Sequence, residues 1–303
     1  MSIQGATALT EELEALVEDY RQWLVMERSL VPSTVKDRVR VVRLFLAECG
    51  GGNLKALSIS EVTSFVVNQS SRLAVKTTKT MVTNLRSLLG YLYLMGVTDN
   101  RLDIAVPAPS GPHGTSLPRW IGAAELSALF ASGDRGSATG RRDHAIVVLL
   151  TRLGLRAGEV AGLRLDDLDW SAGEIVVRGK GSRTERLPMP TDVGKALVAY
   201  LRHGRLPTTC RSVFLRASGP PVGLSPAGVG DVARRACKRA GITVVSPQRL
   251  RHSAATAMLR AGASLEEVGQ VLRDRGVQVV ALYAKVDFVA LRPLALPWPG
   301  DAV

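Results

Sequence analysis

Residues 141–189 read RRDHAIVVLLTRLGLRAGEVAGLRLDDLDWSAGEIVVRGKGSRTERLPM. The first part predicts a helix over 141–153, stopped at Gly154, and a short helix near 157–163. The pattern then changes. LDDLDW, EIVVRGKG and RTERLPM are short, β-rich and separated by Ser-Ala-Gly and Lys-Gly-Ser turns, which predicts a small antiparallel sheet. Upstream, residues 123–131 read as a further helix. Downstream, helices are expected at 192–203, 225–240, 247–261, 264–272 and 277–284. The fold class is therefore mainly α with a small antiparallel β-sheet.

Further out, the N-terminal part reads as helices alone. LTEELEALVEDYRQWLVM spaces Leu13, Leu16, Val17, Tyr20 and Leu24 at helical intervals, with Thr10 placed to cap. A second helix follows Pro32, with Ser33 as its N-cap, and stops at Gly50-Gly51-Gly52. A third starts near Ser60, and a fourth, KTTKTMVTNLRSLLGYLYLMG, ends at Gly96. Four such helices make a compact bundle. AVPAPSGPHGTSLP, rich in Pro, Gly and Ser, has the composition of a linker. The expected organisation is a helical domain over 1–104, a linker over 105–118, a mixed domain over 119–293 and a tail over 294–303.

Apolar residues make up 46% of the 303 and charged residues 22%, ordinary for a globular chain with a real core. The net charge is +12 and it is uneven. Residues 1–105 hold 12 Lys and Arg against 11 Asp and Glu, and residues 106–303 hold 27 against 16. A positive field of that size implies a polyanionic partner, nucleic acid or an acidic membrane surface. Arg dominates the second part, and its planar fork matches pairs of phosphate oxygens. Cys49, Cys210 and Cys237 are isolated, and His113, His144, His203 and His252 are scattered, so neither a disulfide framework nor a metal motif is visible. The start of the chain lacks the pattern of a signal peptide, and VVALYA and AIVVLL are too short to span a membrane. A cytoplasmic location is the expectation.

Four places in the mixed domain fit phosphoryl-transfer chemistry. In TRLGLRAGE, Arg156 opens a helix and Glu159 follows three residues later on the same face. A carboxylate there orients the guanidinium for a phosphate, though the pair also fits a plain surface salt bridge. Gly179-Lys180-Gly181 places a lysine at a hairpin tip, able to reach a groove and donate a proton, or simply solvated. Gln248-Arg249-Leu250-Arg251-His252 opens a helix behind Pro247, with Gln248 and Arg251 on one face and Leu250 inward. LRDRG leads through an apolar helix to Tyr283 and Lys285. A tyrosine in such a helix also fits a core residue.

In this order, and behind a helical domain and a linker, the segments TRLGLRAGEVAGL, VVRGKGSRTERLPM, SPQRLRHSAAT and VLRDRGVQVVALYAKVD resemble the tyrosine recombinases, phage-type integrases of mobile elements. The resemblance spans roughly residues 10–295. It implies a helical, SAM-like core-binding domain followed by a catalytic domain. It also implies site-specific cutting and rejoining of DNA through a 3′-phosphotyrosine. Tyr283 matches the nucleophile, and Arg156 and Arg251 match the two arginines that hold the scissile phosphate. Lys180 matches the lysine that protonates the departing 5′ oxygen, and Glu159 the acidic position that orients the first arginine. No cofactor and no metal is implied, because the tyrosyl ester conserves the bond energy. Double-stranded DNA is the implied partner, held between the two domains, with several protomers, alike or different, on two duplexes as a tetrameric synapse. Leu291 to Trp298 could dock on a neighbour or fold back on its own domain. Lys76, Lys79 and Arg86 along one helix, with Arg183, Arg273 and Arg275, are the candidate DNA contacts. The lysine-bearing helix also fits a solvated face.

Two matched positions depart from the family. Gln248 stands where a histidine is usual, and Asp274 stands where His or Trp is usual, nine residues before the tyrosine. Glutamine donates a hydrogen bond but carries no proton. Losing a general acid–base typically costs about 10²–10⁴ in rate. A carboxylate at 274 repels a phosphate unless Arg273 or Arg275 neutralises it. Reduced cleavage with intact DNA binding is therefore expected. The alternatives are a catalytically impaired accessory protein and a DNA-relaxing enzyme of the type IB topoisomerase kind.

Overall fold

The computed structural model describes residues 9–49, 53–108, 120–179 and 184–273. The chain divides into two compact units, 1–113 and 114–303. Among the described residues, no helix is long and apolar enough to cross a membrane.

In the first unit, α1 (Glu11–Met26) starts at Thr10, whose hydroxyl accepts from the Leu13 N–H. Glu11, Glu12 and Glu14 in its first turn meet the positive end of the helix. α2 (Pro32–Cys49) begins at Pro32 itself, so Ser33, expected as its N-cap, lies inside the helix. Proline suits the first helical position because its missing N–H would have no partner there. α3 (Ile59–Ser70) opens with a reciprocal cap between Ser58 and Glu61. α4 (Val75–Leu94) and the single turn α5 (Leu102–Ala105) complete the unit. Leucines at helical spacing on α4 (Leu85, Leu88, Leu89 and Leu92) pack on Tyr20, Leu24, Phe45 and Phe65. The Phe45 and Phe65 rings meet edge to face at 5.1 Å. The Tyr20 hydroxyl donates to Ser87 Oγ at 2.9 Å, which gives a buried phenol its partner.

The second unit runs α6 (Ala123–Ala131), α7 (Ala138–Arg152), α8 (Ala157–Gly162), β1 (Leu168–Asp169), β2 (Glu174–Arg178), β3 (Thr184–Pro188), α9 (Thr191–His203), α10 (Pro226–Arg239), α11 (Pro247–Arg260) and α12 (Leu265–Leu272). α7 is its axis. Ile146, Leu149 and Leu150 are fully buried, and α9, α10 and α11 pack around it. It starts three residues before the expected 141, because Ser137 accepts from the Gly140 N–H at 3.0 Å and so begins the helix early. The sheet is antiparallel in the order β1-β2-β3. Ile175 faces Leu187 on one side and Leu168 on the other, and Ile175 and Val177 point into the core.

LDDLDW does not form the strand expected of it. Only Leu168 and Asp169 pair with β2, and Leu165–Asp167 winds into a turn of 3₁₀ helix. The cause is Asp167, whose buried carboxylate accepts from the Arg164 N–H at 2.8 Å and from the Arg178 guanidinium. A side chain that bonds its own backbone competes with a strand ladder. The helix expected at 277–284 lies outside the described residues.

α11 and α12 form a corner with its own small core of Ala255, Leu259, Val268 and Leu272, flanked by Trp120 and Met258. Pro247 behind Ser246 starts α11, and a reciprocal Ser264–Glu267 cap starts α12. This corner touches the turn after α7 at Gly154. That glycine has φ of +57°, and a β-carbon on it would sit 2.6 Å from Leu272 Cδ2. Gly154→Ala is therefore expected to destabilise the second unit by about 2 kcal/mol, from the left-handed backbone and overpacking together. Urea unfolding of the two proteins side by side measures it.

Candidate active site

The turn from α7 to α8 is short and tightly bounded. Leu153 and Leu155 are buried on either side of Gly154, which forces the backbone to reverse and sends Arg156 to the N-cap of α8. The Glu159 carboxylate closes that cap. One oxygen, Oε2, accepts from the Arg156 backbone N–H at 2.8 Å, and Oε1 accepts from Arg156 Nη1 at 2.7 Å. The spacing of three residues that predicts a pair in the sequence thus yields both a helix cap and an ion pair. The Glu159 side chain is 4% exposed and that of Arg156 is 39% exposed. The carboxylate is hidden and the guanidinium is partly open.

Arg251 sits on α11 behind Leu250, which points into the main core. It is fully buried, the largest such side chain among the described residues. Its Nη1 donates to the Gly154 carbonyl at 2.6 Å, and its Nη2 donates to the Leu272 carbonyl. A buried guanidinium is tolerable only when its N–H groups find acceptors. Here the acceptors lie on the α7–α8 turn and at the end of α12, so Arg251 ties both to α11. Gln248, one turn earlier on the same helix, is exposed.

Arg273, expected as a DNA contact, completes the cluster with its side chain turned toward Glu159. Its side chain is 4% exposed, and Nη2 donates to Glu159 Oε2 at 2.8 Å. Nη1 donates to the Val271 carbonyl at 3.0 Å. The residue caps α12 in a left-handed conformation, φ +57° and ψ +35°. No isolated-sequence signal marks it, since burial of a charged residue depends on what packs over it.

Electrostatics follow from this crowding. Burial pushes the Glu159 carboxyl up. The Arg156 N–H, the Arg273 charge and the Arg156 guanidinium outweigh that and hold it below the usual carboxylate range. Burial pulls Arg273 below the ordinary guanidinium value. Glu159 opposes this, while Arg251 and Arg156 add to it. Arg156 and Arg273 both bond Glu159, and Arg251 lies close enough to depress Arg273, so guanidiniums gather at this turn, a chemistry that suits an oxyanion or phosphate.

The other expected residues fall elsewhere. Lys76 and Arg86 on α4 are exposed and Lys79 is half-buried. Arg86 Nη2 donates to the Val106 carbonyl at 2.7 Å, so this side chain also braces its own unit. Lys180, Arg183, Asp274, Arg275 and Tyr283 lie outside the described residues, as does the segment Leu291 to Trp298. β2 ends at Arg178 and β3 begins at Thr184, so Lys180 falls between the two strands in sequence.

Residues 119–289, more than half of the chain, match the Phage integrase family. The chain is 43% identical to a putative integrase/recombinase, y4rA, of Sinorhizobium fredii, over 99% of this chain and 77% of that protein. It is 28% identical to the tyrosine recombinase XerC of Oceanobacillus iheyensis, over 91% of this chain and 92% of that one. Among solved structures, a lambda integrase tetramer bound to a Holliday junction aligns with a TM-score of 0.70 at 14% identity, over 89% of this chain and 76% of that one. At that identity the likeness is one of fold.

Glu159→Gln is expected to cost about 3 kcal/mol at neutral pH, because it leaves Arg273 buried without its counter-charge. The deficit has a pH signature. The folded carboxyl lies below its ordinary value of 4.5, so its contribution is complete above that pH and is lost as pH falls through the folded value. Urea unfolding of both proteins from pH 7 downward should show the two converging below about 4.5.

Proposed function

The chain belongs to the phage integrase family, and on that premise we propose that it is a site-specific recombinase that cuts and rejoins DNA through Tyr283. The observation that carries this reading is the meeting of Arg156 and Arg251 at one turn, Gly154 to Glu159, from helices far apart in sequence. Paired guanidiniums in a buried setting suit the two non-bridging oxygens of a phosphodiester.

The reaction then divides as follows. The Tyr283 hydroxyl gives its proton to solvent and its oxygen bonds to phosphorus as the bond from phosphorus to the 5′ oxygen breaks. Lys180 gives a proton to that departing oxygen. Arg156 and Arg251 stabilise the negative charge on the non-bridging oxygens in the transition state, and Gln248 adds a hydrogen bond to a phosphate oxygen. A 5′ hydroxyl from another strand reverses the step and releases the tyrosine. Asp274 lies between Arg273 and Arg275 in sequence. Duplex DNA is the substrate and several protomers assemble on two duplexes. The tetrameric neighbour on a branched junction supports that assembly. Lys76, Lys79, Arg86, Arg183 and Arg275 contribute phosphate contacts. The chain acts in the cytoplasm, where its DNA lies.

A second reading has specific support. Gln248 carries no proton, and a fully buried Arg251 reaches a phosphate only when its cover is displaced. Both favour an accessory protein that binds DNA but cleaves it slowly or not at all.

A nicked duplex carrying the DNA that flanks the gene separates the two. The recombinase forms a covalent adduct at Tyr283, found by peptide mass spectrometry and absent from Tyr283→Phe. Gln248→His is expected to raise the rate of attachment by about tenfold or more. Binding without any adduct favours the accessory role, and relaxation of supercoiled plasmid without recombinant product favours a topoisomerase-like enzyme. In every case affinity should fall by about 10³-fold or more between 50 and 200 mM salt if six or more phosphates are contacted.

A further inference from the structure

Arg273 is the member of the cluster that the recombination chemistry leaves without a task. Both of its free-energy terms are unfavourable for stability alone. Its backbone is left-handed, a conformation that glycine adopts freely and other residues seldom do. Its guanidinium is 4% exposed, and its Nε has no hydrogen-bond partner among the described residues. A desolvated cation is kept when its geometry serves something, because a buried ion pair seldom repays its own desolvation.

Resting on the recombinase reading, we propose that Arg273 is a positioning residue for strand cleavage, clamping Glu159 so that Arg156 keeps its orientation and holding the end of α12 against the turn that carries Arg156. Three contacts carry this. Glu159 Oε1 is taken by Arg156, and Oε2 is shared by the Arg156 N–H and Arg273 Nη2, each at 2.8 Å. Without Arg273 the carboxylate keeps Arg156 alone, and a two-oxygen group with contacts on one side pivots. The second contact is Arg273 Nη1 to the Val271 carbonyl, which pins the fork to its own turn. The third is the neighbouring Leu272 carbonyl, which accepts from Arg251. The last turn of α12 is thereby fastened twice, once through each arginine-bearing element. Tyr283 follows ten residues after Arg273, so the fastening stands where the chain sets out toward the nucleophile. A lysine offers a single point charge and cannot hold the carboxylate and the carbonyl in one plane.

The test uses the full chain with Arg273→Gly, which relaxes the left-handed backbone, and Arg273→Lys, which keeps the charge and loses the fork. Carbon-13 titration of the Glu159 carboxyl reads the clamp without any turnover. Its midpoint is expected to rise in Arg273→Gly and to fall between the two in Arg273→Lys. On the nicked duplex, Arg273→Gly is expected to slow attachment of Tyr283 at saturating protein by about tenfold, while gel-shift affinity stays within about twofold. An unmoved Glu159 midpoint overturns the proposal, as does an unchanged attachment rate in a wild type that does attach. A wild type that forms no adduct on any nicked duplex sinks the recombinase reading, and cleavage positioning with it. The titration then decides by itself whether Arg273 holds Glu159.

Discussion

A carboxylate buried among arginines holds this site together. Guanidinium groups repel one another, and Glu159 places a negative charge between two of them, Arg156 and Arg273. The same two oxygens cap α8, since the Arg156 N–H lies among their donors. One side chain therefore starts a helix, orients the partly open Arg156 and neutralises the hidden Arg273. Folding and charge placement are coupled at this point.

Apolar packing determines where that carboxylate sits. α7 is immersed in the main core, and its end is sealed by Leu153 and Leu155. Gly154 admits the reversal because its left-handed backbone and its contact with Leu272 leave no space for a side chain. α11 enters the same core through Leu250, which leaves Arg251 facing the turn. The small core of Ala255, Leu259, Val268 and Leu272 then brings in the end of α12. No single element makes the site. It exists where three helix ends are packed to within hydrogen-bonding distance.

The two arginines matched to phosphate binding are held differently. Arg156 is partly exposed and restrained on one side by an acid. Arg251 is enclosed and donates to two backbone carbonyls. Both carbonyls fix the guanidinium in a low-dielectric setting, where hydrogen bonds are stronger than in water. Gln248, exposed on the neighbouring turn of α11, carries no titratable proton, and Arg273 adds a buried cation beside Glu159.

The amino-acid sequence by itself determined the mixed architecture and most helix positions. Residues 123–131 and 264–272 were legible because apolar spacing and capping residues act locally. The Arg156–Glu159 pair was legible for the same reason, three residues apart at a helix start. LDDLDW was misread because Asp167 bonds its own backbone, and α5 because a single turn has too little periodicity to register. Only tertiary structure decided that Arg251 is enclosed and that Arg273 turns inward to Glu159 rather than outward to solvent. Those contacts cross 97 and 114 residues of chain. The burial of a charge is set by what packs around it, and local sequence carries no record of that.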